Sequence, residues 1–235
     1  YLAEHYGYHV YIITWEQGGH SIVYPLSPKV THIDWGILFY RQYQYGLFKR
    51  MFMQWKMEKE FFKKLSNFVH TTQADIVIGA SCEFTTMAGM DLLQRKTHTI
   101  LETHSMRTSI EKNNPPAGNL LMRWAFKRRD KKLHQYIKHM SAFVTLTHND
   151  AKDWSDITPQ ARIIPNMLHR YPAEISPDKK TQKRIITAGR LVEQKGYDLL
   201  LDAWSKVHQK HPEWILDIYG EGEDKNMLLE KRKNL

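Results

Sequence analysis

Arg190 and Lys195 stand five residues apart between two glycines, in the stretch Gly189-Arg190-Leu191-Val192-Glu193-Gln194-Lys195-Gly196. A β-branched run, Arg184-Ile185-Ile186-Thr187-Ala188, precedes it, and a helical pattern follows. Open α/β sheets bind ligands at the carboxyl ends of their strands. A helix N-terminus at that edge offers free amides and the positive end of a dipole to phosphate. One forked guanidinium and one point-like ammonium suit a diphosphate. The chemistry suggested is phosphate binding, although a solvated basic loop between strand and helix has the same composition. The glycine spacing is neither that of the P-loop nor that of the dinucleotide fingerprint.

A second candidate is His104, just beyond the apolar run Thr99-Ile100-Leu101-Glu102. A neutral imidazole at a strand's carboxyl end can bond a hydroxyl or help to move a proton. Satisfaction by a neighbouring carbonyl is the alternative. The other twelve of the 13 histidines show no metal-ligand spacing, so no metal site is expected. The single cysteine, Cys82, excludes an internal disulfide and fits a reducing compartment. With no base or cation beside it in sequence, it reads as a small buried residue after a strand rather than as a nucleophile.

Positioning these residues takes strands alternating with helices. Strands are predicted at 8–14, 75–80, 99–102, 142–146 and 162–164, with helices at roughly 41–70, 84–95, 117–139 and 148–154. Short apolar strands alternating with helices imply a parallel sheet covered on both faces. The polar stretch 171–182, with Pro172 and Pro177, reads as an interdomain linker. Beyond it, the strand at 184–188, a helix with Leu199, Leu200, Ala203, Trp204 and Val207 on one face, and the strand Trp214–Tyr219 form a βαβ unit. One such unit cannot close a core, so the second domain is expected to be incomplete.

The 235 residues carry a formal net charge of +9, an excess that favours phosphate-bearing partners. Between 41 and 68, Arg41, Lys49, Arg50, Lys56 and Lys59 interleave with Tyr43, Tyr45, Phe48, Phe52 and Trp55. Lys63, Lys64, Phe61 and Phe62 continue the pattern. A core helix with a solvated basic side is one reading, and peripheral contact with anionic membrane is the other. The run Lys127-Arg128-Arg129-Asp130-Lys131-Lys132 offers the same choice, a solvated face or a lipid or acceptor-phosphate contact. A basic nucleic-acid-binding α/β protein is a rival, but no helix-turn-helix, RNP or zinc pattern is present.

The segment from Ile186 to Leu200, followed by Trp214 to Gly222, resembles the start of the second domain of family 4 glycosyltransferases, with their G-R-L-x-x-x-K-G loop and a strand ending in G-x-G, here Gly220-Glu221-Gly222. Ile163-Ile164-Pro165-Asn166 is similar to the family's I-P-N segment, and Leu101-Glu102-Thr103-His104-Ser105 to the strand end that carries a histidine facing the donor sugar. The resemblance implies a GT-B fold: two Rossmann-like, doubly wound α/β domains facing a cleft. On this resemblance residues 1–170 are the acceptor-side domain and 183–235 the start of the nucleotide-sugar-binding domain. It implies transfer of a sugar, with retention and without metal or cofactor, from a UDP-, GDP- or ADP-sugar to a glycan or lipid-linked hydroxyl acceptor. Gly189, Arg190, Lys195, Gly196, Asn166, Gly220, Glu221 and Gly222 would hold the donor, and His104 would be catalytic. Further expectations are a cytoplasmic enzyme on the inner face of the plasma membrane, a role in bacterial surface polysaccharide or glycolipid synthesis, and no nucleic-acid partner. A non-catalytic GT-B subunit is the alternative. The family's glycine-rich acceptor loop and later glutamate pair match nothing within 1–235, so this stretch is expected to lack both ends and to be inactive alone.

Overall fold

The computed structural model describes residues 1–22, 24–94, 97–107, 110, 120–167 and 183–233, with the backbone alone at 120–122. The chain divides into two compact units, Tyr1–Met167 and Leu168–Leu235. The linker expected at 171–182 lies outside the described residues, as do residues 117–119 of a predicted helix.

The N-terminal unit opens with the one-turn helix α1 (Leu2–His5) and continues through β1 (Val10–Thr14) and β2 (Val30–Asp34). A 3₁₀ turn (Phe39–Gln44) leads to α2 (Leu47–Thr72) and β3 (Ile76–Gly79). Then come α3 (Phe84–Asp91), β4 (His98–Glu102), α4 (Leu120–His139), β5 (Ala142–Thr145), α5 (His148–Asp153) and β6 (Arg162–Ile163). All pairings are parallel, in a two-stranded sheet β1-β2 and a four-stranded sheet β3-β4-β5-β6. The expected α/β class with parallel sheets is what the structure shows.

Three details differ from expectation. The strand at 30–34, which pairs with β1 along its whole length, was not predicted; its sequence Val-Thr-His-Ile-Asp has two apolar residues separated by two polar ones, which is neither an apolar run nor a strict alternation. The helix expected from 41 starts at Leu47, because Gly46 is its extended N-cap and the residues before it coil as 3₁₀. Coverage of both sheet faces is incomplete: Ile76 and Ile78, on the edge strand β3, are about half exposed.

Amphipathic spacing explains what is buried. Leu133 and Ile137, one helical turn apart on α4, pack with Met87 and Met90 of α3, Leu101 of β4 and Phe143 of β5. Trp154, fully buried after α5, meets the Phe143 ring edge-on at 5.4 Å between centroids. A second cluster forms where Met57 and Phe61 of α2 meet Ile37, Trp15 and Trp35. α2 and α3 cross at Gly89, where a Cβ would stand 2.9 Å from Phe61 and 3.0 Å from Leu65.

The C-terminal unit is β7 (Arg184–Ala188), a 3₁₀ turn (Glu193–Lys195), α6 (Tyr197–Lys210), β8 (Ile215–Tyr219) and α7 (Lys225–Lys233), with β7 and β8 parallel over five residues. The expected βαβ unit is present, but the buried face of α6 is rotated from the predicted one. Tyr197 and Leu201 are buried with Leu191 and Leu228, and Leu200 packs against them. Leu199 is 68% exposed. The reason is tertiary: α7 and the loop after β7 select the Tyr197–Leu201 stripe, while Trp204 and Val207 line a shallow apolar hollow with Ile185 and Trp214. Arg184 clamps β7 to β8 by bonding Asp217 through Nε at 2.8 Å and Nη2 at 3.0 Å.

The α2–α3 crossing yields a test. Gly89→Val is expected to lower unfolding stability by about 1–3 kcal/mol through overpacking, read as a reduced urea midpoint. An unchanged midpoint would mean that the helices have room to spare.

Candidate functional site

In the C-terminal unit the site is built by two loops that join through their main chains. β7 and β8 end side by side, and their register carries on past the strands. The Gly189 amide donates to the Tyr219 carbonyl at 3.0 Å, and the Leu191 amide to the Glu221 carbonyl at 2.9 Å. The Leu191 carbonyl then accepts from Asp224 N–H at 3.0 Å. Contact this close excludes side chains. A Cβ on Gly220 would lie 1.9 Å from the Gly189 carbonyl oxygen, and one on Gly222 2.2 Å from that of Leu191. Gly189 sits over the buried Tyr197, whose hydroxyl would be 2.7 Å from a Cβ there. The resemblance implied that Gly220 and Gly222 hold the donor; in the structure they are the positions at which the two loops meet.

The joined loops leave the charges of 189–196 outward. Arg190 and Lys195 are exposed, and neither forms an ion pair among the described residues. Gly196, at φ +63, turns the chain left-handed into α6 and is its N-cap, with no side chain capping the first turn. Two unpaired cations therefore stand beside an open helix N-terminus at the carboxyl edge of a parallel sheet, an arrangement that attracts phosphate. Glu221 is turned to Lys225 at 2.6 Å. This pairs its carboxylate with the first residue of α7.

In the N-terminal unit the strand ends carry the other candidates. His104 follows β4 with its imidazole exposed, Nε2 lying 3.7 Å from the Glu102 carboxylate. The Thr103 hydroxyl donates to the Ser105 carbonyl at 2.9 Å and shapes this turn. Arg107 anchors the far side of the loop by stacking on Trp154 at 5.1 Å and bonding Asp156, whose carboxyl it holds below the usual range. Cys82 is partly buried beside the main core, and burial pushes its thiol up, which fits the expected structural role. Asn166 is exposed beyond β6, after Ile164 N–H has closed on the Thr145 carbonyl. Arg190, Lys195 and the glycines share one unit; His104 and Asn166 belong to the other. Among the described residues no group of three His, Cys, Asp or Glu side chains could hold a metal.

Sequence reading missed a further cluster at the strand ends of the N-terminal unit. Glu16 follows β1 by two residues and Glu83 precedes α3, both on the wall of a cavity of about 750 Å³. The usable signal was an acidic residue just after each apolar run. Burial, and secondarily the charge of Glu16, raises the Glu83 carboxyl. The Glu16 loop is held by Asp34. Burial alone would raise this carboxyl, but bonds from Thr14 at 3.0 Å and the Gly18 amide at 3.1 Å outweigh it and hold it low.

The joined loops give a direct test. Gly222→Ala should lower stability by about 1–3 kcal/mol and abolish any phosphate-ligand binding, measured by thermal melt and calorimetry. Native binding in that variant would show that the loops need not touch.

Residues 173–235 match the sequence profile of the family described as Glycosyl transferases group 1. The chain is 28% identical over 193 residues to an uncharacterized glycosyltransferase of Haemophilus influenzae, covering 78% of this chain and 49% of that one. It is 46% identical over 68 residues to the amylovoran biosynthesis glycosyltransferase AmsD of Erwinia amylovora, covering 29% of this chain and 18% of that one. The chain thus spans half or less of the curated relatives it matches. Among solved structures it is similar to S. aureus TarM, at 20% identity and a TM-score of 0.48, over 68% of this chain and 30% of that one. A GtfA/B complex is similar at 19% identity and a TM-score of 0.41, over 72% of this chain and 34% of that one. The stretch 173–235, with its joined loops, carries the glycosyl transferases group 1 pattern, and the curated relatives are glycosyltransferases.

Proposed function

We propose that the protein is a GT-B glycosyltransferase that moves a sugar, with retention, from a nucleotide-diphosphate sugar to a hydroxyl acceptor. One observation carries this reading: Arg190 and Lys195, unpaired and exposed, flank the uncapped N-terminus of α6 on a loop fixed by main-chain bonds to Tyr219, Glu221 and Asp224. As the glycosidic bond breaks, negative charge develops on the leaving diphosphate. Fixed cations and amides stabilise it without a metal, because they need no reorganisation when the charge appears. The group 1 match over these residues supports the same assignment. In this reading Asn166 and Glu221 complete the donor site, and His104 bonds a hydroxyl of the donor sugar. A bacterial polysaccharide or glycolipid pathway follows from the amylovoran relative by analogy alone.

The test is a thermal-shift series with UDP, GDP, ADP and their sugar conjugates. One nucleoside diphosphate is expected to raise Tm, since a ligand stabilises the state it binds. Arg190→Ala or Lys195→Ala should erase that response and lower turnover of the whole enzyme by roughly 10²–10³. A protein indifferent to every nucleotide would end this reading.

The same proposal places the enzyme peripherally on anionic membrane on the cytoplasmic side. α2 supports this in its first half. Leu47, Phe48, Met51, Phe52 and Trp55 are all more than half exposed, while Phe61, further along, is buried. Lys49 and Lys59 lie over the Tyr45 and Trp55 rings at 4.2 and 5.3 Å. Aromatic rings with cations alongside suit the headgroup boundary. No described helix is long and apolar enough to cross a membrane. Co-sedimentation with phosphatidylglycerol vesicles is expected at low salt, and loss of it in Phe48→Ser/Phe52→Ser. Equal pelleting with neutral phosphatidylcholine would refute the electrostatic part.

A further inference from the structure

The cavity of about 750 Å³ in the N-terminal unit is lined by none of the residues proposed to hold the donor. It is of the size that takes a ligand of several rings. Its walls separate charge. On one side α4 presents Arg128, Arg129 and Lys132, on one helical face by their spacing. None of the three pairs with a carboxylate among the described residues; Arg128 and Arg129 only lie near the Trp124 and Phe84 rings, at 5.4 and 5.8 Å. Other parts of the wall come from Glu16, Glu58 and Glu83. Glu58 is held in place by Thr85 Oγ1 at 3.1 Å and Gln54 Nε2 at 3.0 Å. Trp15, Tyr40 and Tyr43 supply aromatic surface.

Two further wall residues are incompletely bonded. Gln42 and Thr86 are 5% and 6% exposed, and Gln42 Oε1 and Thr86 Oγ1 have no hydrogen-bond partner among the described residues. Buried polar atoms are nearly always satisfied, so two in one cavity wall mark a place where a partner is wanted. Three cations and three carboxylates that do not pair with one another call for a ligand with an anion at one end and hydroxyls at the other.

We propose that this cavity binds a phosphate-bearing saccharide. Arg128, Arg129 and Lys132 hold the phosphate, Glu16, Glu58 and Glu83 accept from sugar hydroxyls, and the aromatic residues pack on the ring's C–H faces. The inference rests on the glycosyl-transfer reading only for its role, where it names the acceptor as a glycosyl phosphate. A free sugar phosphate and the headgroup of a phospholipid-linked sugar share this chemistry.

Calorimetry on the protein tests it with the 1-phosphates of glucose, galactose and N-acetylglucosamine, the parent sugars, inorganic phosphate, and an alkyl-tailed glucosyl phosphate. At least one sugar phosphate should bind roughly tenfold or more tightly than its parent sugar and than inorganic phosphate. Arg129→Glu/Lys132→Glu should remove that preference and keep the native melt. Glu83→Gln should weaken the sugar phosphate while leaving inorganic phosphate unchanged. Tighter binding of the tailed probe assigns the lipid-linked source, and equal binding the free one. No preference for any sugar phosphate, or an unchanged preference in the double variant, overturns the site. A sugar-phosphate preference in a protein that ignores all nucleotides would support this site and defeat the transfer reading.

Discussion

Parallel pairing puts the carboxyl ends of all strands in a sheet on one edge. The candidate chemistry of this chain depends on that constraint. β3, β4, β5 and β6 run the same way, so the turns after them, with Glu83, His104 and Asn166, gather on a common side of the four-stranded sheet. β7 and β8 do the same for Arg190, Lys195 and the Gly220–Gly222 turn. Parallel strands also need long crossovers. The helices that make those crossovers, α3, α4 and α6, bury the methionine, leucine and tyrosine stripes that hold the edge in place.

Within the C-terminal unit the constraint tightens to main-chain contact. Leu191 donates to one residue of the opposite loop and accepts from another, which is possible only because glycines at 220 and 222 leave the backbone bare. The loops are thereby rigid while their cations remain unpaired. A binding site works best under these conditions, since little ordering remains to be done when the ligand arrives. In the N-terminal unit the polar strand ends are stiffened differently, by side chains: Asp34 under the Glu16 loop, and Arg107 between Trp154 and Asp156 under the His104 loop.

Part of the net charge of +9 comes from three local groups of cations. Cations at the start of α2 accompany exposed aromatics, those on α4 face a cavity, and those on the 189–196 loop stand at a helix N-terminus. Each group meets phosphate chemistry in the proposed reading: a lipid surface, a glycosyl phosphate and a nucleoside diphosphate. Long-range attraction between exposed charges is screened within about 10 Å at 0.1 M salt. The three groups therefore act locally, through their own surroundings.

The order of elements, the α/β class and the 189–196 loop were legible in sequence, because apolar runs and glycine–cation spacing are local properties. The second strand was not, since Val30-Thr31-His32-Ile33-Asp34 shows neither an apolar run nor an alternation, and only pairing with β1 sets it apart from a loop. The start of α2 and the buried stripe of α6 were misplaced for a related reason: several periodic faces fit the same sequence, and the neighbour that packs on one of them selects it. What the sequence determined by itself was which residue types stand at strand ends. Only the tertiary structure decided that Gly220 and Gly222 join two loops and that Glu16, Glu83 and Arg129 share one cavity, because contacts between residues far apart in the chain are made by packing and leave no local periodicity to read.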